Sequence, residues 1–259
     1  MNITTDRGQI LGVIDGYSES RDVLFVACYG FNGERTESHR MTVKFSRLLS
    51  NSQIMTLRYD YTGLGVSEGE FHNVTLRSKY KDAEEVIEYI INKFSHIKKI
   101  VLLGFSDGAR IALKAAINYK KRIDIIGIVL WSPLLIDETY AVEESKSYSN
   151  IVRVVDNKHV IHSYGLWMNI KYNNLILKKS DRMWSDLSIP ILTVYGEKDN
   201  MVTASRIFHE EVISKNNNNK VVVVPEAEHT FAKRKFEDHV FEVTQKWIVE
   251  RAVEYCQDK

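Results

Sequence analysis

The chain has 259 residues, 44% hydrophobic and 27% charged, which suits one soluble α/β domain. Its 35 basic and 34 acidic residues leave a net charge of +1, and no long basic run occurs. That excludes the electrostatic footprint of a nucleic-acid binder or of a protein built for an acidic partner. Residues 1–17 alternate weakly around turn signals at Asp6-Arg7-Gly8 and Asp15-Gly16, the pattern of an antiparallel hairpin. Residues 23–28 are an apolar run of strand length that ends in the turn formers of residues 29–33. Met41, Phe45, Leu48 and Leu49 follow at helical spacing. Residues 53–58 read as another strand, and Ala83, Val86, Ile87, Ile90, Ile91 and Phe94 as a helix stripe.

The next strand, Ile100-Val-Leu-Leu, runs into Gly104-Phe105-Ser106-Asp107-Gly108 and then into a helical pattern reaching about Tyr119. Residues 125–131 form a further apolar strand, stopped by Ser132-Pro133. Residues 134–186 break the alternation and are polar and irregular, though they hold Trp167, Met168 and Trp184. Strands at 190–195 and 221–224, a helix around 204–214 and a last helix from about Lys235 complete the chain. Continuous apolar strands alternating with helices imply a parallel sheet buried on both faces. Functional groups in such sheets gather at the carboxyl ends of the strands.

No disulfide framework, leader or membrane anchor is legible. Cys28 lies in an apolar run and reads as a buried thiol, leaving Cys256 as the second of two cysteines. Residues 1–7 lack the basic and apolar regions of a signal peptide, and no apolar run approaches the ~20 residues of a membrane span. A cytoplasmic location is expected. No zinc or phosphate-loop motif is present, and the chemistry read below requires no metal or cofactor.

A strand, a G-x-S-x-G turn and a helix in that order make a nucleophile elbow. Ser106 would stand at the apex of a strained turn, with Gly104 and Gly108 omitting the Cβ atoms that would collide there. The backbone N–H of Asp107, at the helix N-terminus, would point at a developing oxyanion. The same five residues also occur as an ordinary turn with an exposed serine, so the partners decide. A serine needs a base, and the base an orienting acid, in the chain order Ser, acid, His. Glu197 and Asp199 follow one strand end, with Asp199 better placed in its loop. His229 follows the next strand end. Of the eight histidines it alone lies in a short loop after the last strand; His159 and His162 fall in the insert.

These positions lie within an ordered set of longer matches. Tyr29-Gly30-Phe31-x-Gly33 resembles the H-G-F-x-G oxyanion loop of α/β-hydrolases, with Tyr29 in place of His. Arg58-x-Asp60-x-x-Gly63-x-Gly65-x-Ser67-x-Gly69, Gly196-x-x-Asp199-x-x-Val202 and Ala227-x-His229-x-Phe231 match further motifs of that superfamily. The chain resembles its group of serine aminopeptidases, monoglyceride lipases and cinnamoyl esterases. The resemblance implies a mostly parallel sheet of about eight strands flanked by helices, in one domain over 1–259 with a small helical cap inserted at about 134–186. It implies Ser106, Asp199 and His229 as catalytic triad, and the backbone N–H groups of Phe31 and Asp107 as oxyanion hole. Tyr29 and Trp167 are expected to contact substrate, Trp167 from the cap. The Asp107 side chain would either recognise a substrate amine, as in a valacyclovir-hydrolysing relative, or favour the helix N-terminus by its charge. The expected activity is hydrolysis of a small to medium carboxylic ester or thioester as a small-molecule acyl substrate. A short-peptide peptidase, an acyltransferase and a non-catalytic binding protein are the rival readings. The oligomeric state is left open, a homodimer included.

Overall fold

The computed structural model describes residues 1–136, 152–163, 165–172, 187–212 and 218–257. Strands β1 (Asn2–Thr5) and β2 (Gly8–Asp15) form the expected hairpin. There follow β3 (Val23–Cys28), helix α1 (Met41–Asn51), β4 (Met55–Tyr59), α2 (Leu76–Lys93), β5 (Lys99–Phe105), α3 (Gly108–Tyr119) and β6 (Asp124–Trp131). The short strands β7 (Val152–Val155), β8 (Lys158–Ser163) and β9 (Leu166–Asn169) lie in the insert. The chain resumes with β10 (Ile191–Gly196), α4 (Thr203–Val212), β11 (Lys220–Val224) and α5 (Arg234–Gln257).

Eight strands make one sheet in the order β1-β2-β4-β3-β5-β6-β10-β11. From β4 to β11 every neighbouring pair is parallel. Every residue of β3, β4, β5 and β10 is buried, which is why β3, β5 and β10 read as largely apolar runs. Four of the helices that cover the sheet meet in two pairs. Helix α1 meets α5 through the Phe45 and Phe241 rings, 5.2 Å apart, and through Gln245, which donates to Ser52 Oγ at 2.7 Å. Helix α2 meets α3 where Asn118 donates to Tyr80 Oη at 2.6 Å. A capping box starts α2: Thr75 Oγ1 accepts from the Ser78 N–H, and Ser78 Oγ accepts from the Thr75 N–H. Among the described residues no helix is long and apolar enough to cross a membrane.

Of the insert expected as a helical cap, only a part is described, and that part is not helical. Its described part is an antiparallel sheet, β7-β8-β9. The reason is local. The β-branched run Val152-Arg-Val-Val155 meets Asp156 and Asn157, both with positive φ (48° and 60°), which close a two-residue hairpin. Gly165, with φ 79°, lies in the next turn. Polar contacts between this sheet and the body include His72 Nε2 to Asp156 Oδ2 at 2.8 Å, Lys158 to Asn73, and Asn169 Nδ2 to the His72 carbonyl at 3.1 Å. The rest of the 134–186 insert, Trp184 included, lies outside the described residues.

His209 on α4 makes the fold sensitive to acid. It is buried, with Nε2 2.9 Å from Thr193 Oγ1, and burial pushes its pKa down to about 4. The unfolded chain therefore takes up this proton near the ordinary value of about 6.5, while the native state resists it until about pH 4. The resulting stability is present above the unfolded value and lost as pH falls towards the folded one. Between pH 7 and 4.5, urea titrations should show the wild type losing about 2 kcal/mol more than His209→Gln. Equal losses in the two proteins would remove His209 as a cause.

Candidate active site

The elbow forms because α3 comes closer to β5 and to the end of β3 than side chains allow. A Cβ on Gly104 would stand 2.4 Å from Ala109 Cα, and one on Gly108 would stand 2.3 Å from the Cys28 carbonyl oxygen. Ser106 between them has φ 53°, a left-handed conformation strained for a serine. Three backbone bonds hold it there: Ser106 N–H donates to Trp131 O at 3.0 Å, and Ser106 O accepts from the Leu134 N–H at 2.9 Å and the Ala109 N–H at 3.2 Å.

Two further strand ends bring partners to its hydroxyl. His229 Nε2 lies 3.0 Å from Ser106 Oγ, and His229 Nδ1 lies 2.8 Å from Asp199 Oδ2. Asp199 is buried, and its Oδ1 accepts from the Met201 N–H at 3.1 Å. The acid and histidine loops are joined by backbone bonds, Glu197 N–H to Val224 O at 3.0 Å and Lys198 N–H to Ala227 O at 2.8 Å. Gly196 permits this, since a Cβ there would stand 2.5 Å from Ala227 O. The Phe105 ring packs on the His229 ring at 5.5 Å and 31°. Glu197 is exposed and accepts from the Glu226 N–H, so Asp199 is the carboxylate that faces His229. The other histidines bond elsewhere where partners are seen: His39 to Glu237, His72 to Asp156 and His209 to Thr193.

The loop after β3 passes beside the serine. A Cβ on Gly30 would lie 3.1 Å from Ser106 Cβ, so the Gly30–Phe31 backbone borders the hydroxyl. The Asp107 N–H opens α3 on the other side and has no acceptor among the described residues. The Arg58–Gly69 motif holds this loop in place. Asp60, fully buried, accepts from the Arg35 N–H at 2.6 Å and the Val66 N–H at 2.9 Å, and pairs with the Arg35 guanidinium. Arg58 donates to Asp15 and to the Arg35 carbonyl. Gly65, with φ 55°, leaves the space that the Asp60 carboxylate fills.

Under the loop lies a residue that sequence reasoning missed. Lys79, fully buried on α2, directs its ammonium at the carbonyls of Tyr29 (3.1 Å), Gly30 (2.5 Å) and Phe31 (3.4 Å). It also meets Asp107 Oδ1 at 3.4 Å and Tyr172 Oη at 3.3 Å. Burial lowers its pKa, and the charge of Asp107 opposes that shift. Glu37 accepts from the Gly30 N–H at 3.3 Å, and burial of its carboxyl raises its pKa to about 7. The signal for Lys79 was present: it falls in phase with the apolar stripe of Leu76, Ala83, Val86 and Ile90.

Two side-chain expectations need correction. Tyr29 does not face a substrate. It is fully buried, with its ring against Tyr59 and Tyr61, because three tyrosines share one side of the sheet end. Trp167 packs on Arg153, 4.6 Å from its guanidinium, and on His162, 5.5 Å away. Its neighbours Leu166 and Met168 are the side chains that pack on the main core, and strand alternation sends Trp167 to the opposite face. The insert reaches the site through Tyr172 instead, whose hydroxyl lies 2.6 Å from Asp107 Oδ2 and 3.2 Å from the Phe31 carbonyl. The Asp107 side chain is buried and spent on Tyr172 and Lys79, so it is turned inward. Among the described residues, no three His, Cys, Asp or Glu side chains converge as a metal site would.

The model of the family described as serine aminopeptidase, S33, matches residues 25–175, more than half of the chain. The chain belongs to that family. Residues 150–257 also match the dienelactone hydrolase family model. Solved structures agree with the fold. Est1E from Butyrivibrio proteoclasticus, with ferulic acid bound, aligns at TM-score 0.77 and 22% identity over 98% of this chain and 99% of that one. A monoacylglycerol lipase of Paleococcus ferrophilus aligns at 0.69 and 18% identity, over 93% of this chain and 99% of that one. A Pyrococcus furiosus esterase aligns at 0.68 and 18% identity, over 96% and 88%. The fold is that of the α/β-hydrolases, and the protein is a hydrolase of that group.

Since the elbow rests on missing Cβ atoms against backbone, Gly104→Ala should lower stability by at least ~2 kcal/mol in urea unfolding, or prevent folding. An alanine variant as stable as the wild type would show that β5 and α3 are not in this contact.

Proposed function

We propose that the protein hydrolyses a small to medium carboxylic ester through an acyl-enzyme on Ser106, with thioesters as chemically equivalent substrates. The observation that carries this reading is the unbroken chain of contacts from Ser106 Oγ through His229 to buried Asp199, at 3.0 and 2.8 Å. His229 Nε2 takes the Ser106 proton as Oγ attacks the acyl carbonyl. Asp199 holds Nδ1–H, fixes the tautomer and stabilises the imidazolium. The Phe31 and Asp107 N–H groups receive the oxyanion, each worth about 3 kcal/mol of barrier in comparable sites. His229 then protonates the leaving alcohol or thiol, and water attacks the acyl-enzyme with His229 as base.

The names of the similar proteins support an ester substrate: an esterase, a monoacylglycerol lipase, and Est1E with ferulic acid bound. The family description favours a second reading, removal of an amino-terminal residue from short peptides. That reaction needs a group to receive a substrate ammonium. Asp107 was the candidate, and its carboxylate is already bound by Tyr172 and Lys79. The ester reading stands first for that reason.

Steady-state kinetics on p-nitrophenyl esters of rising acyl length test the reading. Ser106→Ala should abolish turnover. Asp199→Asn should lower kcat by about 10⁴-fold through the wrong tautomer, whereas Glu197→Gln should change it less than about threefold. Faster cleavage of aminoacyl p-nitroanilides than of any ester would favour the peptidase reading. The reverse ranking of the two acidic variants would move the orienting role to Glu197.

A further inference from the structure

The loop beside Ser106 has an unusual support. Its three successive carbonyls, from Tyr29, Gly30 and Phe31, all face one buried ammonium. Nothing in the triad mechanism uses that charge. A lysine with no solvent exposure is costly unless it is fully bonded, so its retention under this loop asks for a physical account.

Peptide geometry supplies one. In a trans peptide the carbonyl and the N–H point in opposite directions. The Gly30 carbonyl and the Phe31 N–H belong to the same peptide unit. Drawing the Gly30 oxygen down to Lys79 therefore turns the Phe31 N–H up, away from the lysine and towards the side on which Ser106 borders Gly30. Hydrogen bonding at the oxygen also polarises the unit and strengthens its N–H as a donor. The ammonium is held in turn by Asp107 Oδ1 and Tyr172 Oη. Asp107 is the residue whose own N–H opens α3, so one ion pair spans the backbones of both oxyanion donors. Tyr172 adds the insert: its hydroxyl lies against Asp107 and the Phe31 carbonyl, and its ring packs edge-on to Phe31 at 4.8 Å. All five partners of the Lys79 nitrogen can act as acceptors, which suits the protonated amine.

We propose that Lys79 is a positioning residue of the oxyanion hole, clamped by Asp107 and Tyr172, that aims the Phe31 N–H at the developing oxyanion. This rests on the esterase reading above, and it assigns a catalytic consequence to three side chains that the triad leaves out. The clamp also places the insert, through Tyr172, in contact with the backbone that borders Ser106.

The test compares wild type, Lys79→Met and Tyr172→Phe, each checked for folding by circular dichroism and thermal melting. Three quantities are read: kcat and KM on one p-nitrophenyl ester, and the inhibition constant of an alkyl trifluoromethyl ketone, whose tetrahedral adduct with serine carries an oxyanion. Lys79→Met should lower kcat about a hundredfold, leave KM within about threefold, and weaken the ketone by the same factor as kcat/KM. Tyr172→Phe, which keeps the ring and the lysine, should show the same pattern at about a tenth of that size. A merely structural lysine would lower the melting temperature without moving the ketone constant of the folded protein. A folded Lys79→Met variant with wild-type kcat, or one whose kcat falls while ketone binding is unchanged, overturns the proposal. Should Lys79→Met not fold, Tyr172→Phe decides: unchanged kcat and ketone affinity overturn it. A wild-type protein inactive on every ester would instead remove the esterase reading, a result separable from these because it appears before any substitution.

Discussion

The close approach of α3 to the ends of β5 and β3 is the constraint on which the rest of the site depends. Ser106 can stand at φ 53° only because the strand end and the helix start lock the chain on either side of it. The lock works only because Gly104 and Gly108 bring nothing into a gap of less than 3 Å. Backbone strain of this kind costs about 1–3 kcal/mol and persists when its surroundings over-determine it. Here the surroundings are the central strands of a sheet buried on both faces. Ser106 is thus presented from the buried centre of the sheet, and its partners His229 and Asp199 stand on short, cross-bonded loops.

A second theme is the buried charge gathered at the carboxyl end of the sheet. Asp60, Asp82, Asp107 and Lys79 are all nearly inaccessible to water. None is left unpaired. Asp60 holds Arg35 and the Val66 N–H; Asp82 accepts from Thr62 twice and pairs with Arg7; Asp107 and Lys79 hold each other and Tyr172. Each bonds loop backbone or loop side chains to another loop or to a regular element. Apolar packing could not do this, because these loops carry backbone polar groups that need partners once the sheet end is covered. Buried ions are a poor source of net stability, but they specify geometry, since moving one partner leaves a charge stranded. The loops that border Ser106 are where such specification has chemical value.

What the sequence revealed followed from how local each signal is. The elbow, the acid loop and the histidine loop are each written within a few residues, with glycines where backbone must approach backbone. Strand and helix periodicity then fixes which ends share an edge of the sheet. Side-chain destinations set by distant partners were not legible. Tyr29 looked like a loop residue near the substrate, but its place depends on Tyr59 and Tyr61 thirty residues on. Trp167 looked like pocket lining, and strand register turned it to Arg153 and His162. The β7–β8 hairpin was readable in Val-Arg-Val-Val-Asp-Asn, but the polarity of the insert masked it. Lys79 stood out as a charge in phase with an apolar stripe, yet its acceptors are carbonyls about 50 residues away in sequence.

The central claim is that this geometry makes Ser106 a nucleophile. Incubation with a fluorophosphonate, followed by intact-protein and peptide mass spectrometry, tests it most directly. One phosphonyl adduct per chain, mapped to Ser106 and abolished by His229→Ala, is the expected result. An unmodified protein, or an adduct on a residue other than Ser106, would contradict the account.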